Sequence, residues 1–420
     1  RAAVVTSPTA VATMEPTPLT ATDEVSSTMA ALNARATALR ATATARAAAM
    51  TSPTATTRSR DLVSLTPTLR ILASPTLLPS ATRLPEVGQP GIFSPGDLME
   101  RRVLTTEDDG FIRTVYLCCA ASDLFVEIAF ETPDTTAYWD VGVAVREQAA
   151  TNQELRFFVT SNRTWHFGLG AEIQANGSHS APFNTRPGTI NRLTLVAFGE
   201  TGIALLNGEI IAVLDFSAIL SSGDIYIGTE FADGSPPGID IVIVSANVGA
   251  LESAFGPFNG MLPHRPNNGV VESIAAEGVQ RGSFIAQAVL GVPYPTDQSG
   301  WDIGFDFRKP GANRFVRLIV DAMRQTWYLY DFNREFTLSE SGPVGTLRLG
   351  TNDVNALILV AVREHGYLIV NGQPVGKFEL PMIPGGGAVE LGSGFFSGNE
   401  IDGEQTTFSG YTVWTFADQP

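Results

Sequence analysis

Along the stretch WDIGFDFR, Asp302, Asp306 and Arg308 alternate with Ile303, Phe305 and Phe307. Successive residues of a strand point to opposite faces, so the apolar set would look into a core and the charged set out of it. Arg317 lies in the following apolar run, and Tyr328 and Tyr330 in the run after that. Asp140, Arg146 and Arg156 repeat part of the pattern earlier in the chain. Such a face has carboxylates and guanidinium groups to hydrogen-bond sugar hydroxyls, beside tyrosine rings. The same residues also make the cross-strand ion pairs that keep an exposed sheet soluble.

Other candidate chemistry is sparse. The acidic turn Glu107-Asp108-Asp109-Gly110 could hold Ca²⁺ through its oxygens or simply be solvated, and no other cofactor is expected. His166, His179, His264 and His365 have no ligand spacing, and no Cys-x-x-Cys occurs. Neither a phosphate-binding glycine loop nor a dinucleotide fingerprint is present. Cys118 and Cys119 are adjacent and would point to opposite faces of a strand, which excludes an ordinary disulfide between them. Two reduced, partly buried thiols are expected, with a strained vicinal bridge or an intermolecular bond as alternatives. Asn162-Arg163-Thr164 and Asn176-Gly177-Ser178 have the form of glycosylation sequons.

The elements that must hold these residues are strands, and one set of them occurs twice. Residues 191–216 (NRLTLVAFGETGIALLNGEIIAVLDF) align without a gap on residues 355–380 (NALILVAVREHGYLIVNGQPVGKFEL), with nine of 26 positions identical. Each copy is an apolar run, a short polar break, a second run, an Asn-Gly pair and a third run. Asn207-Gly208 and Asn371-Gly372 predict tight hairpins. The surrounding runs keep the same order in both halves. Leu124–Glu131, Trp139–Val145, Leu155–Thr160 and Thr164–Leu169 precede the first copy, and Asp224–Phe231 and Ile239–Val248 follow it. Ser283–Leu290, Trp301–Phe307, Phe315–Asp321 and Thr326–Asp331 precede the second copy, and Ala388–Phe396 and Gly410–Phe416 follow it. Trp139 and Trp165 fall in register with Trp301 and Trp327, a placement that suits shared packing. Short strands separated by turn residues predict an all-β chain of two tandem antiparallel sandwiches, at 87–250 and 251–420.

Residues 1–86 differ in kind. They are rich in Ala, Thr, Ser and Pro, the composition of a linker or stalk, and suit O-glycosylation. Between 23 and 50 Pro is absent, and Val25, Met29, Leu32, Ala36 and Leu39 follow a four-three spacing that predicts a helix with a narrow seam. Residues 1–60 hold six Arg against three acids, a balance of +3 within a chain of net charge −16. A basic arm on an acidic body could dock on neighbouring copies, so self-association through the arm is expected. The overall charge argues against nucleic acid and anionic membrane surfaces as partners. No apolar run reaches the length of a transmembrane helix. The start at Arg1 suggests processing or truncation, which a lost signal peptide or anchor would fit.

The second half, with FGPFNGMLPHRPNNGVVES, WDIGFDFR, FVRLIVD, TWYLYD, LIVNGQPV, GSGFFSG and GYTVWTF, resembles the concanavalin A-like lectin/glucanase jelly rolls. It is similar above all to the laminin-G-like and family-16-like modules of bacterial surface proteins, which often follow an Ala-Thr-rich linker. The resemblance covers residues 90–420 and implies a jelly-roll scaffold, an extracellular or cell-surface location and a glycan as candidate partner. It implies no activity by itself. Glu400-Ile401-Asp402-Gly403-Glu404 matches the E-x-D-x-E signature of family-16 glycosidases, whose alternating acids line a cleft strand. Here Ser397-Gly398-Asn399 and Gly403 give the segment a turn composition, so a solvated loop is expected. The expected function is a non-catalytic structural or adhesive protein that assembles through its arm as a filament or surface-layer subunit. A carbohydrate-binding module is the alternative, and a glycoside hydrolase, which needs a cleft of paired carboxylates, stands third.

Overall fold

The computed structural model describes residues 101–416, apart from 110, 182, 233, 266–270, 312, 333–336, 382, 384–385 and 397–399. The arm, its candidate helix 23–50 and the seam of Val25, Met29, Leu32, Ala36 and Leu39 lie outside the described residues.

The two Asn-Gly pairs turn the chain as their residue types dictate. Asn207 and Gly208 take φ of 51° and 77°, and Asn371 and Gly372 take 52° and 76°. Consecutive positive values produce the hairpin twist that suits right-twisted strands, and Asn and Gly tolerate them best. These turns join β9 (Thr201–Leu206) to β10 (Glu209–Asp215) and β20 (His365–Val370) to β21 (Gln373–Glu379). Each turn asparagine also reaches the preceding strand of its repeat, β8 (Ile190–Phe198) or β19 (Val354–Val362). Asn207 Nδ2 donates to Asn191 Oδ1 at 2.9 Å, and Asn371 Nδ2 to Asn355 Oδ1 at 2.8 Å. Asn191 and Asn355 are buried, and the bonded asparagines account for two of the nine identical positions of the repeat.

Every pairing between described strands is antiparallel, and no helix occurs among the described residues. One six-stranded sheet runs β2 (Arg113–Ala121), β11 (Gly223–Thr229), β4 (Asp140–Gln148), β5 (Gln153–Thr160), β6 (Thr164–Leu169), β7 (Glu172–Ser178). Its counterpart runs β13 (Glu272–Ala275), β22 (Ala388–Ser393), β15 (Asp302–Gly311), β16 (Arg314–Asp321), β17 (Thr326–Asp331), β18 (Thr337–Pro343). The two repeats belong to a third sheet of 11 strands. Its middle runs β8, β3 (Leu124–Glu131), β12 (Asp240–Pro263), β23 (Gln405–Phe416), β14 (Phe284–Gly291), β19, with β1 (Arg102–Thr105) beside β12. The 24-residue strand β12 crosses residue 250: its first part pairs with β3 and its second with β23.

Three apolar clusters follow from strand alternation. Val141, Val143 and Val145 meet Leu193, Leu195 and Leu206 in the core of the first sandwich. Ile303, Phe305 and Phe307 meet Leu357, Leu359 and Leu368 in that of the second. The opposite faces of the repeat strands are apolar too. Val196, Phe198, Ile203 and Leu205 pack on Ile358, Val360, Tyr367 and Ile369 in a third cluster between the sandwiches. Burying a Val, Leu, Ile or Phe side chain contributes about 1.5–3 kcal/mol, so this junction is a core in its own right. Tyr367 donates to the Gly208 carbonyl across it at 2.9 Å, and Lys377 Nζ lies 2.5 Å from Glu209 Oε1.

Two expectations are corrected. Cys118 is disulfide-bonded, and the one other cysteine in the chain is Cys119, so the reading of reduced thiols does not hold. The alternation that argued against a bond is lost locally: Ile225 pairs with Cys118 and Gly223 with Ala121, so two residues of β2 face one of β11. The strand expected over Ala388–Phe396 ends at Ser393, because the chain bends at Gly394 to meet the Asp302 carboxylate.

Candidate functional site

The outer face of the second six-stranded sheet gathers most of the predicted site. Asp306 on β15 lies opposite Arg317 on β16, which lies opposite Tyr330 on β17. The Arg317 guanidinium grips Asp306 with two bonds, Nε to Oδ1 at 2.7 Å and Nη2 to Oδ2 at 2.8 Å. It is also held among rings, 5.1 Å from the Phe315 centroid, 4.9 Å from Phe332 and 4.8 Å from Phe395. A planar cation stacked on faces and forked to a carboxylate is fixed in position, which lysine could not reproduce.

Beside this pair lies a half-exposed aromatic surface. Tyr328 and Tyr330, two apart on β17, have centroids 6.3 Å apart, and Phe396 stands edge-on to them at 5.6 and 6.5 Å. Burial and the neighbouring Tyr328 raise the pKa of Tyr330 above its ordinary value. Arg324 closes the far side, 6.0 Å from the Phe396 ring and 2.5 Å from the buried carboxylate of Asp321. Phe395 and Phe396 are members of this candidate site that sequence reading missed. They sit in the bend after β22, and alternation cannot place a residue in a bend.

Asp302 and Arg308 lie away from this surface. Asp302 is 1 % exposed and accepts hydrogen bonds from the backbone N–H groups of Gly394, Phe395 and Phe396, each at 2.9 Å. It therefore sets the bend that presents the two phenylalanines. Burial pushes its pKa up to about 6, against the opposing pull of those N–H groups. Asp140 does the same in the first sandwich, accepting from Phe231 and Ala232, with its pKa pushed up to about 6. Arg308 does not join the outer face as alternation predicts. Its φ of 51° and the register shift after Phe307 turn it inward, where it donates to the carbonyls of Gly282, Pro381 and Arg363. Arg146, with φ of 55°, is its twin and donates to Ser122, Gly199 and Ile219. Both arginines are structural ties.

The remaining candidates are also placed. Glu400, Asp402 and Glu404 do not alternate along a strand: Asp402 and Gly403 form a turn, and Glu404 N bonds back to the Ile401 carbonyl at 3.2 Å. On the outer sheet face Asp306 pairs with Arg317, Asp321 with Arg324, and Glu390 with Lys309. The acidic turn at Glu107 closes on Arg113, whose guanidinium meets Glu107 at 2.7 Å, Asp109, and Glu230 at 3.5 Å. Among the described residues no group of three or more His, Cys, Asp or Glu is gathered as a metal site. No helix of the described residues is long and apolar enough to cross a membrane.

No protein-family model matches this chain, and no curated protein matches it. Solved structures do. The carbohydrate-binding module CBM66 from Bacillus subtilis is 10% identical over 39% of this chain and 95% of its own, with a TM-score of 0.29. Domains LG4-5 of the mouse laminin alpha1 chain are 10% identical over 78% of this chain and 92% of theirs, with a TM-score of 0.25. A fructosyltransferase from A. japonicus is 11% identical over 68% of this chain and 56% of its own, with a TM-score of 0.30. The fold class itself rests on the sheets described above.

Proposed function

We propose that the chain is a non-catalytic, extracellular carbohydrate-binding protein whose Tyr328, Tyr330 and Phe396 receive the face of a sugar ring. The observation that carries this reading is the ring cluster bracketed by Arg324 with Asp321 on one side and Arg317 with Asp306 on the other. Aromatic faces accept the C–H side of a sugar, and rigid charge pairs offer donors and acceptors to its hydroxyls. The first sandwich keeps the scaffold but not these rings, for His166 and Gly168 stand where Tyr328 and Tyr330 do. A purely structural face would have no need of the difference.

A glycan array on the intact chain, followed by titration calorimetry with Tyr328→Ala and Tyr330→Ala, tests the proposal. Each variant is expected to bind at least tenfold more weakly, about 1.4 kcal/mol. Unchanged affinity in both, or no glycan bound at all, would overturn it.

Charge favours a second reading, a structural subunit that self-associates. Residues 1–60 carry +3 and the rest of the chain −19, so the arm of one copy is attracted to the body of another. Electron microscopy of the full chain beside one lacking residues 1–86 tests it: ordered filaments or layers lost on deletion support it, and dispersed particles in both overturn it.

A further inference from the structure

The first sandwich carries a cleft at the place where the second carries its Asp306–Arg317 pair. Ala144 lies opposite Arg156 as Asp306 lies opposite Arg317. Ala144 offers no carboxylate, so Arg156 turns to Glu154 on its own strand, with Nε 2.5 Å from Oε1. The vacated space is a cleft of about 240 Å³ on the outer face of the sheet, lined by Ala144, Glu147, Asn152, Glu154, Arg156, Tyr226 and Phe231, among others. Tyr226 bonds to Glu147, and that bond first, then burial, pushes its pKa up to about 12.

We infer that this cleft is a second binding site, and that its ligand is one neutral sugar residue. The chemistry of the walls selects the class. Glu147 and Glu154 accept hydrogen bonds, Arg156 donates them and the Asn152 amide does both. A hydroxyl both donates and accepts, so a polyol satisfies such a mixed lining. A carboxylate or phosphate would face two acids, while Arg156 is already paired with Glu154 and Glu147 is bonded to Tyr226, so a neutral polyol can bond to these groups without breaking either pair. Phe231 and Tyr226 add ring surface for an apolar sugar face. The volume is below the range for drug-sized ligands, which limits the occupant to about one ring. The inference shares its ligand class with the function proposed above but concerns different residues, so either site can fail alone.

The test uses the intact chain and a panel of neutral methyl glycosides, with glucuronate and glucosamine as charged controls. Binding is followed by saturation-transfer NMR and calorimetry. Ala144→Asp recreates a pairing that the second sandwich already folds around, and Ala144→Leu fills the cleft by bulk alone. Thermal unfolding confirms that each variant is folded. In a Tyr328→Ala, Tyr330→Ala background a neutral glycoside is expected to remain bound, and either change at Ala144 should weaken it at least tenfold. If the background binds nothing, the cleft is no site while the tyrosine surface stands. If binding survives both Ala144 variants, or a charged sugar is preferred, the inference is wrong. If the tyrosine changes cost nothing and those at Ala144 abolish all binding, the cleft stands and the tyrosine surface falls.

Discussion

The Trp414 indole N–H, on the last strand, donates to Asp123 Oδ2 at 3.2 Å across 291 positions of chain. The other carboxylate oxygen accepts from Gly199 N at 2.8 Å and lies 3.7 Å from the Arg146 guanidinium. One acid thus links the bend of the first sandwich to the closing strand of the second. Trp414→Phe should keep a ring against Phe198, 5.0 Å away, and lose the bond. A hydrogen bond to a charged acceptor is worth about 1.5–3 kcal/mol, so a loss near the lower end is expected. In a double-mutant cycle with Asp123→Asn the two losses should overlap by about 1 kcal/mol, and strict additivity would show that the contact does not couple the halves.

Arg308 donates to three backbone carbonyls while 1 % exposed, and burial lowers its pKa to about 10, which leaves it charged at neutral pH. Arg308→Met removes all its donors at once and leaves carbonyls unpaired. A cost of about 3 kcal/mol is expected, and Arg308→Lys should recover little of it, since an ammonium lacks the planar fork. Urea unfolding reads this as a lower midpoint at unchanged slope. A midpoint within error of the parent would contradict the assigned role.

One buried histidine should oppose the fold in acid. His264 is 1 % exposed, its nitrogens bonded to Tyr294 at 3.1 Å and Thr406 at 2.8 Å, and burial lowers its pKa from 6.5 to about 4. Its contribution is therefore full above pH 6.5 and lost as the pH falls through 4, about 3 kcal/mol in total. Asp140 and Asp302 act in the opposite sense: with pKa raised from 3.8 to about 6, their contribution is full below 3.8 and lost as the pH rises through 6. Relative to the parent, His264→Gln should lose less stability, or gain some, between pH 6.5 and 4. Parallel melting curves over that range would refute the assignment.

A chain ending at Ala250 would leave Phe125, Val196, Phe198, Ile203 and Leu205 without their partners from the second sandwich. It would also deprive β12 of β23. Such a fragment is expected to bind a hydrophobic dye and aggregate rather than melt cooperatively. A cooperative, monomeric melt would mean that the junction is dispensable.

Much of this fold is legible in the chain itself, and the omissions have physical causes. The Asn-Gly turns and β3, β6 and β17 follow directly from turn chemistry and alternation. Edge strands β7 and β18 read EIQANGS and TLSESGP, polar on both faces, and present no apolar period to detect. The continuous apolar runs of β8 and β19 do signal burial on both faces, yet which surface covers the second face depends on the far half of the chain. Gly256-Pro257 has the form of a turn, but β12 absorbs it with register shifts and continues. At the candidate site, Tyr328, Tyr330, Asp306 and Arg317 fall on one face because alternation holds there. Arg308 escapes because a positive φ breaks alternation at that residue, and Phe396 because a buried carboxylate positions it.

The division of β12 between two partners also sets an order of assembly during synthesis. Its first part can pair with β3 as soon as both have left the ribosome, since β3 has already been made. Its second part has no neighbour on that side until β23, the last described strand, emerges. The outer faces of β8 and β9 likewise stay uncovered until β19 and β20, which carry their partners Ile358, Val360, Tyr367 and Ile369, have been made, so the growing chain carries an open apolar surface through much of its second half. A chaperone that holds this surface would act late and let go only as those strands dock.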